Sequence, residues 1–137
     1  MAKMTDRIKE LFNEQQAVIL ATATKDGVPN AVPVGAKKIL DDETILISDQ
    51  YFNKTLQNLK DNDQAAVTFW GDNSEGYQLK GIVTIETSGE RFEETAKWIE
   101  GIAKMINRPL KSKGAIILNI KEIFSVAPGP NAGAKLA

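Results

Sequence analysis

A chain of 137 residues, 42% apolar and 26% charged, has the size and balance of one soluble domain with its own core. With 17 Lys and Arg against 18 Asp and Glu, its formal charge of −1 argues against bulk nucleic-acid binding, which needs a basic face. Cysteine and histidine are both absent, which excludes disulfides, thiol nucleophiles, thiolate zinc and iron–sulfur centres and the familiar catalytic triads.

Residues 5–15 predict a short amphipathic helix, capped by Thr5, with Ile8, Leu11 and Phe12 on one face. The run Ala-Val-Ile-Leu-Ala-Thr-Ala at 17–23 predicts a strand buried on both sides. Asp26-Gly27 turns the chain, and 31–40 returns as a second strand of a hairpin. Pro29 and Pro33 cannot donate to a ladder, so the first half of that strand belongs at an edge or a bulge. Lys37-Lys38 reads as a solvated strand end. A third strand, 44–48, follows the Asp41-Asp42 turn.

The junction after it is the most informative stretch. Asn53-Lys54-Thr55-Leu56-Gln57-Asn58-Leu59 predicts a helix entered directly from a strand. The first turn of such a helix has unpaired N–H groups and the positive end of the dipole, a ready phosphate holder. Lys54 adds a charge and Thr55 a hydroxyl; the plainer reading makes Asn53 an ordinary N-cap and Lys54 a solvated side chain.

Residues 64–70 predict a fourth strand and 77–87 a long fifth one, interrupted by Gly81 at a bulge or a close approach. Trp70 and Tyr77 flank the polar loop between them and are candidates for a pocket wall. The longest helix, 90–106, would bury Phe92, Ala96, Ile99, Ile102, Ala103 and Ile106 and stop at Asn107-Arg108-Pro109. A last strand spans 114–126, and the tail 128–137, rich in Pro, Gly and Ala, reads as irregular. No repeat or interdomain linker interrupts residues 1–137, so one domain is expected. The charged first ten residues and the absence of a long apolar run point to a cytoplasmic protein without a membrane partner. Six strands with few crossover helices predict a small antiparallel barrel, mostly β with flanking helices.

Several of these stretches, in this order, resemble one family. Residues 17–24 are similar to the opening strand of the FMN-binding split-barrel proteins related to pyridoxamine 5′-phosphate oxidase. Asn30-Ala31-Val32-Pro33-Val34-Gly35 resembles their flavin-lining strand, Lys54-Thr55 with Asn58-Leu59 their Lys-Thr-x-x-Asn-Leu stretch, and Gln78-Leu79-Lys80-Gly81 their central strand. The resemblance runs from about residue 15 to 133 and implies a six-stranded split β-barrel that pairs as a homodimer around FMN.

It further implies cofactor contacts from Pro33, Val34 and Gly35 at the ring system, from Ser48, Asp49 and Gln50 at its polar edge, and from Asn53, Lys54 and Thr55 at the phosphate. Gly81 would lie close to the cofactor region. The expected function is an FMN flavoprotein, an oxidoreductase or electron-transfer protein supplied by a nicotinamide or protein donor. The alternative is a non-enzymatic module that binds or senses a flavin nucleotide or a deazaflavin. No metal is expected, and haem lacks a histidine ligand. The chain is much shorter than the full oxidase, and Lys111-Ser112-Lys113 is the one further basic run of comparable character, so oxidation of vitamin B6 is not expected. No residue is assigned a catalytic role, although Asp49 could deliver a proton.

Overall fold

Seven strands form one antiparallel sheet in the computed structural model, which describes residues 1–137. In chain order the elements are α1 (Asp6–Glu14), β1 (Val18–Ala23), β2 (Pro29–Val34), β3 (Lys37–Asp41), β4 (Thr44–Asp49), α2 (Lys54–Asp61), β5 (Gln64–Trp70), β6 (Gly76–Glu86), α3 (Glu90–Ile106) and β7 (Gly114–Ser125). The strands lie in the order β2-β1-β5-β6-β7-β4-β3.

The count differs from the six expected because 31–40 is two strands. The break falls at Gly35-Ala36, where Ala36 leaves the strand and its carbonyl accepts from the Ser48 N–H at 2.9 Å. Strands separated by these two residues therefore stand at opposite edges of the sheet. That is possible only if the sheet curls until its edges meet, which makes the structure a barrel with a seam. Pro29 and Pro33 sit on the edge strand β2, paired to Ala23 and Ile19 of β1, where a missing donor is tolerated.

The main core fills the inside of the curl. Alternate residues Val18 and Leu20 of β1, Val67 and Phe69 of β5, Leu79 and Val83 of β6 meet Ile45, Ile47, Ile116 and Leu118. Helix α1 contributes Ile8, Leu11 and Phe12, with the Phe12 ring edge-on to Phe69 at 5.5 Å. The Thr5 hydroxyl accepts from the Ile8 N–H at 3.2 Å and so caps α1. Burial of each of these large apolar side chains stabilises the fold by roughly 1.5–3 kcal/mol. Helix α2 adds Leu59 to the same core.

Two burial expectations change. β1 alternates buried and half-buried rather than being covered on both sides, because α1 and α2 send their apolar residues inward and leave its outer face bare. Helix α3 buries Thr95 and Ile99 fully and rests with Trp98 on a small outer cluster of Leu46, Ala115 and Ile117. Its stripe stops short of the end, where Met105 is 86% and Ile106 50% exposed. Asn107 closes that helix in the left-handed conformation, φ 54°. The tail turns back along β7, with Ser125 donating to the Ala134 carbonyl at 2.9 Å and Leu136 to that of Ile123 at 2.8 Å. No helix is long and apolar enough to cross a membrane.

Candidate functional site

The seam of the barrel opens into a cleft of about 510 Å³. β2 and the turn after it form one wall through Val32, Pro33, Val34 and Gly35, and the segment joining β4 to α2 forms the other. Eight of the ten residues expected at a cofactor line this cleft: Pro33, Val34, Gly35, Ser48, Gln50, Asn53, Lys54 and Thr55. They come from distant parts of the sequence, and the link between opposite sheet edges brings them together.

The floor is the start of α2. Its first hydrogen bond runs from the Gln57 N–H to the Asn53 carbonyl at 3.1 Å, so the amides of Lys54, Thr55 and Leu56 precede it. Asn53 occupies the N-cap position, yet its side chain makes no capping bond, and no acidic residue sits in the first turn. The plain reading of Asn53 as an ordinary cap is therefore not what the helix uses. Free N–H groups, the helix dipole and Lys54 give this corner a positive character. Lys54 is the one charged side chain lining the cleft, and no carboxylate lines it.

Thr55 is 3% exposed and belongs to a polar cluster beneath the floor. Asn30 Nδ2 donates to Thr55 Oγ1 at 3.0 Å and to Thr22 Oγ1 at 3.2 Å. Asn58 Nδ2 donates to Thr22 Oγ1 at 3.0 Å. Asn58, four residues beyond Lys54, and Leu59, four beyond Thr55, thus pin α2 by one polar and one apolar contact. No buried side-chain polar atom in the structure lacks a partner.

On the opposite wall the Ser48 hydroxyl bonds Gln50 Oε1 and lies 2.7 Å from Ser112 Oγ. Asp49 is 1% exposed and does not line the cleft. Its carboxylate accepts from the Phe52 N–H at 2.8 Å and faces Lys113 Nζ at 3.7 Å. Lys113 also donates to the Phe52 carbonyl at 2.9 Å, so residues 112–113 brace the segment that leads into α2. Gly81 lies elsewhere, at the irregularity between β6 and β7. A Cβ there would stand 2.0 Å from the Asn119 carbonyl oxygen, which accounts for glycine by backbone approach.

Trp70 and Tyr77 are not in this cleft. Trp70 is 57% exposed beside Gly71 and Asp72. The Tyr77 hydroxyl donates to Glu75 at 2.6 Å, and Glu75 in turn accepts from Arg7. Burial and then the Glu75 bond push the Tyr77 phenol up to about 12. Lys37 is not a free strand end, since it donates to the Phe12 carbonyl at 2.8 Å over the Phe12 ring. Desolvation there lowers its ammonium pKa.

Sequence reasoning assigned no role to Tyr51 and Phe52, which also line the cleft. Tyr51 is 76% exposed at its rim, and an aromatic pair between a strand and a polar helix start was the available signal.

A model of the family described as pyridoxamine 5′-phosphate oxidase matches residues 4–127. The chain belongs to the pyridoxamine 5′-phosphate oxidase family. The uncharacterised protein MJ0282 of Methanocaldococcus jannaschii is 39% identical over 140 residues, covering 100% of this chain and 90% of that protein. The crystal structure of HupZ from group A Streptococcus superposes with a TM-score of 0.79 at 28% identity, over 95% of this chain and 99% of that one. An FMN-binding protein from Syntrophomonas wolfei superposes with a TM-score of 0.72 at 21% identity, over 88% and 84% of the two chains. The fold is the split barrel of this family, with seven strands in place of six.

Proposed function

We propose that the seam cleft binds flavin mononucleotide, with its phosphate at the Asn53–Lys54–Thr55 corner and its ring system along Pro33, Val34 and Gly35. The observation that carries this is the uncapped, acid-free start of α2, which opens into the seam cleft beside a lysine. Membership of the pyridoxamine 5′-phosphate oxidase family supports the choice of a flavin, as does the Syntrophomonas wolfei relative named for FMN binding. Ser48 and Gln50 would meet the polar edge of the ring. Asp49 would act from behind them by holding the turn at Phe52. Gly81 would serve the same site only indirectly, through the path of β6. Bound flavin would supply the electron or hydride transfer, and the chain's own part is to hold, orient and desolvate it.

The partner in this proposal is a second copy. The outer faces of β2, β1 and β5 carry Ala31, Pro33, Ile19, Ala21, Ala66 and Thr68, small or apolar residues on which no helix rests. A homodimer formed through that face would set each seam beside the neighbouring protomer. A nicotinamide or a protein would deliver electrons.

Visible absorbance of the purified protein, after loading with FMN and removal of the excess, tests the binding. A flavin spectrum that stays with the protein is expected, and a colourless protein overturns the assignment. A second reading, a module that stores or senses the nucleotide without turnover, is favoured by the lack of any carboxylate in the cleft lining. Steady oxidation of NADH or NADPH with an added acceptor decides for the enzyme, and tight binding without turnover decides for the module.

A further inference from the structure

Thr55 is buried and lines the cleft, and the one hydrogen-bond partner of its hydroxyl in the chain is Asn30. A hydroxyl has one proton to give and two lone pairs to receive with. Asn30 Nδ2 occupies a lone pair of Thr55 at 3.0 Å, and the hydroxyl donates to no group of the chain. Its proton is therefore unspent at a surface of the cleft. Which way a hydroxyl points is decisive for an anion: the proton attracts a phosphate oxygen, whereas a lone pair repels it.

Asn30 is itself held in place. Its second amide proton goes to Thr22 Oγ1 at 3.2 Å, on the strand paired with β2, and Asn58 of α2 donates to that same oxygen. The arrangement spans β1, β2 and α2, and in it Asn30 presents Nδ2 to both threonine hydroxyls.

We propose that Asn30 is a positioning residue that fixes Thr55 as a hydrogen-bond donor to the phosphate, so that the cleft prefers a flavin phosphate ester over the corresponding uncharged alcohol. This rests on the flavin assignment above. The effect acts through Thr55 and leaves the ring contacts untouched. It predicts a change in discrimination rather than a general loss of affinity, which is what a purely structural cluster would give.

The test measures FMN and riboflavin affinities by fluorescence quenching for the wild type, Asn30→Leu, Thr55→Val and the double variant. Thr55→Val is expected to lower the FMN-to-riboflavin affinity ratio about tenfold or more, the size of one hydrogen bond to a charged group. Asn30→Leu is expected to lower the ratio by at least about threefold, a part of that one bond. In the Thr55→Val background it should change the ratio no further, since the group it acts through is gone. If Asn30→Leu does not fold, as riboflavin binding and melting temperature would reveal, Asn30→Ala carries the same expectation. An unchanged ratio in the Asn30 variants, or additive losses in the double variant, overturns the proposal while the flavin site stands. A wild type that binds neither ligand overturns both.

Discussion

Lys54 is exposed on the first turn of α2, at the mouth of the cleft, and no carboxylate competes for it among the lining residues. Its replacement by alanine is expected to weaken FMN binding by about 1.5–3 kcal/mol and to leave riboflavin nearly unaffected, as read by parallel titrations. Two glycines give a contrast. At Gly35 an added Cβ meets only the Gln16 carbonyl, at 3.4 Å. Gly35→Ala should therefore keep stability within about 0.5 kcal/mol of wild type while crowding the cleft and weakening flavin binding. At Gly81 the same methyl would press on the Asn119 backbone, and Gly81→Ala should destabilise by about 1–3 kcal/mol in urea unfolding. Equal stability losses at both positions would refute this assignment of their roles.

Among the elements, α2 was the most legible from sequence, because its strand-to-helix junction and Lys-Thr-x-x-Asn-Leu pattern are local. The polar bracing behind it was not, since Asn30, Thr22 and Asn58 meet only after three elements have folded together. The same distinction explains why 31–40 reads as one long strand. Nothing in residues 31–40 says that the chain switches sheet edges there, because the instruction comes from pairing with β1 on one side and β4 on the other. Helix α3 was overread for a related reason: an apolar stripe fixes a face but not how much neighbouring structure exists to cover it. β6 carries a pH signature of its own through Tyr77. The fold favours the neutral phenol, so its contribution is complete below the unfolded value near 10.0 and is lost as the pH rises toward about 12. Melting temperatures of wild type should fall across that range by more than those of Tyr77→Phe. Glu75 is held low by Arg7 first and Tyr77 second, which adds stability above its unfolded value that is lost as acid titrates it.

For the molecule as a whole, the bare outer face of β2, β1 and β5 is the feature that a single chain does not explain. Ile19 stands at its centre, opposite Pro33 on one side and Thr68 on the other. Sedimentation should give twice the chain mass for the wild type, and Ile19→Glu should give monomers, because a carboxylate buried without a partner is costly. A monomeric wild type would leave that face without its proposed partner.

The two-residue link at Gly35-Ala36 has one more consequence. It ties the outermost strands of the sheet to each other, one of them interrupted by Pro29 and Pro33. Open sheet borders are where stray chains add on and fibrils begin. Here those borders lean together at the mouth of the cleft, so the same fastening that shapes a cradle for a small molecule also withholds a template from aggregation.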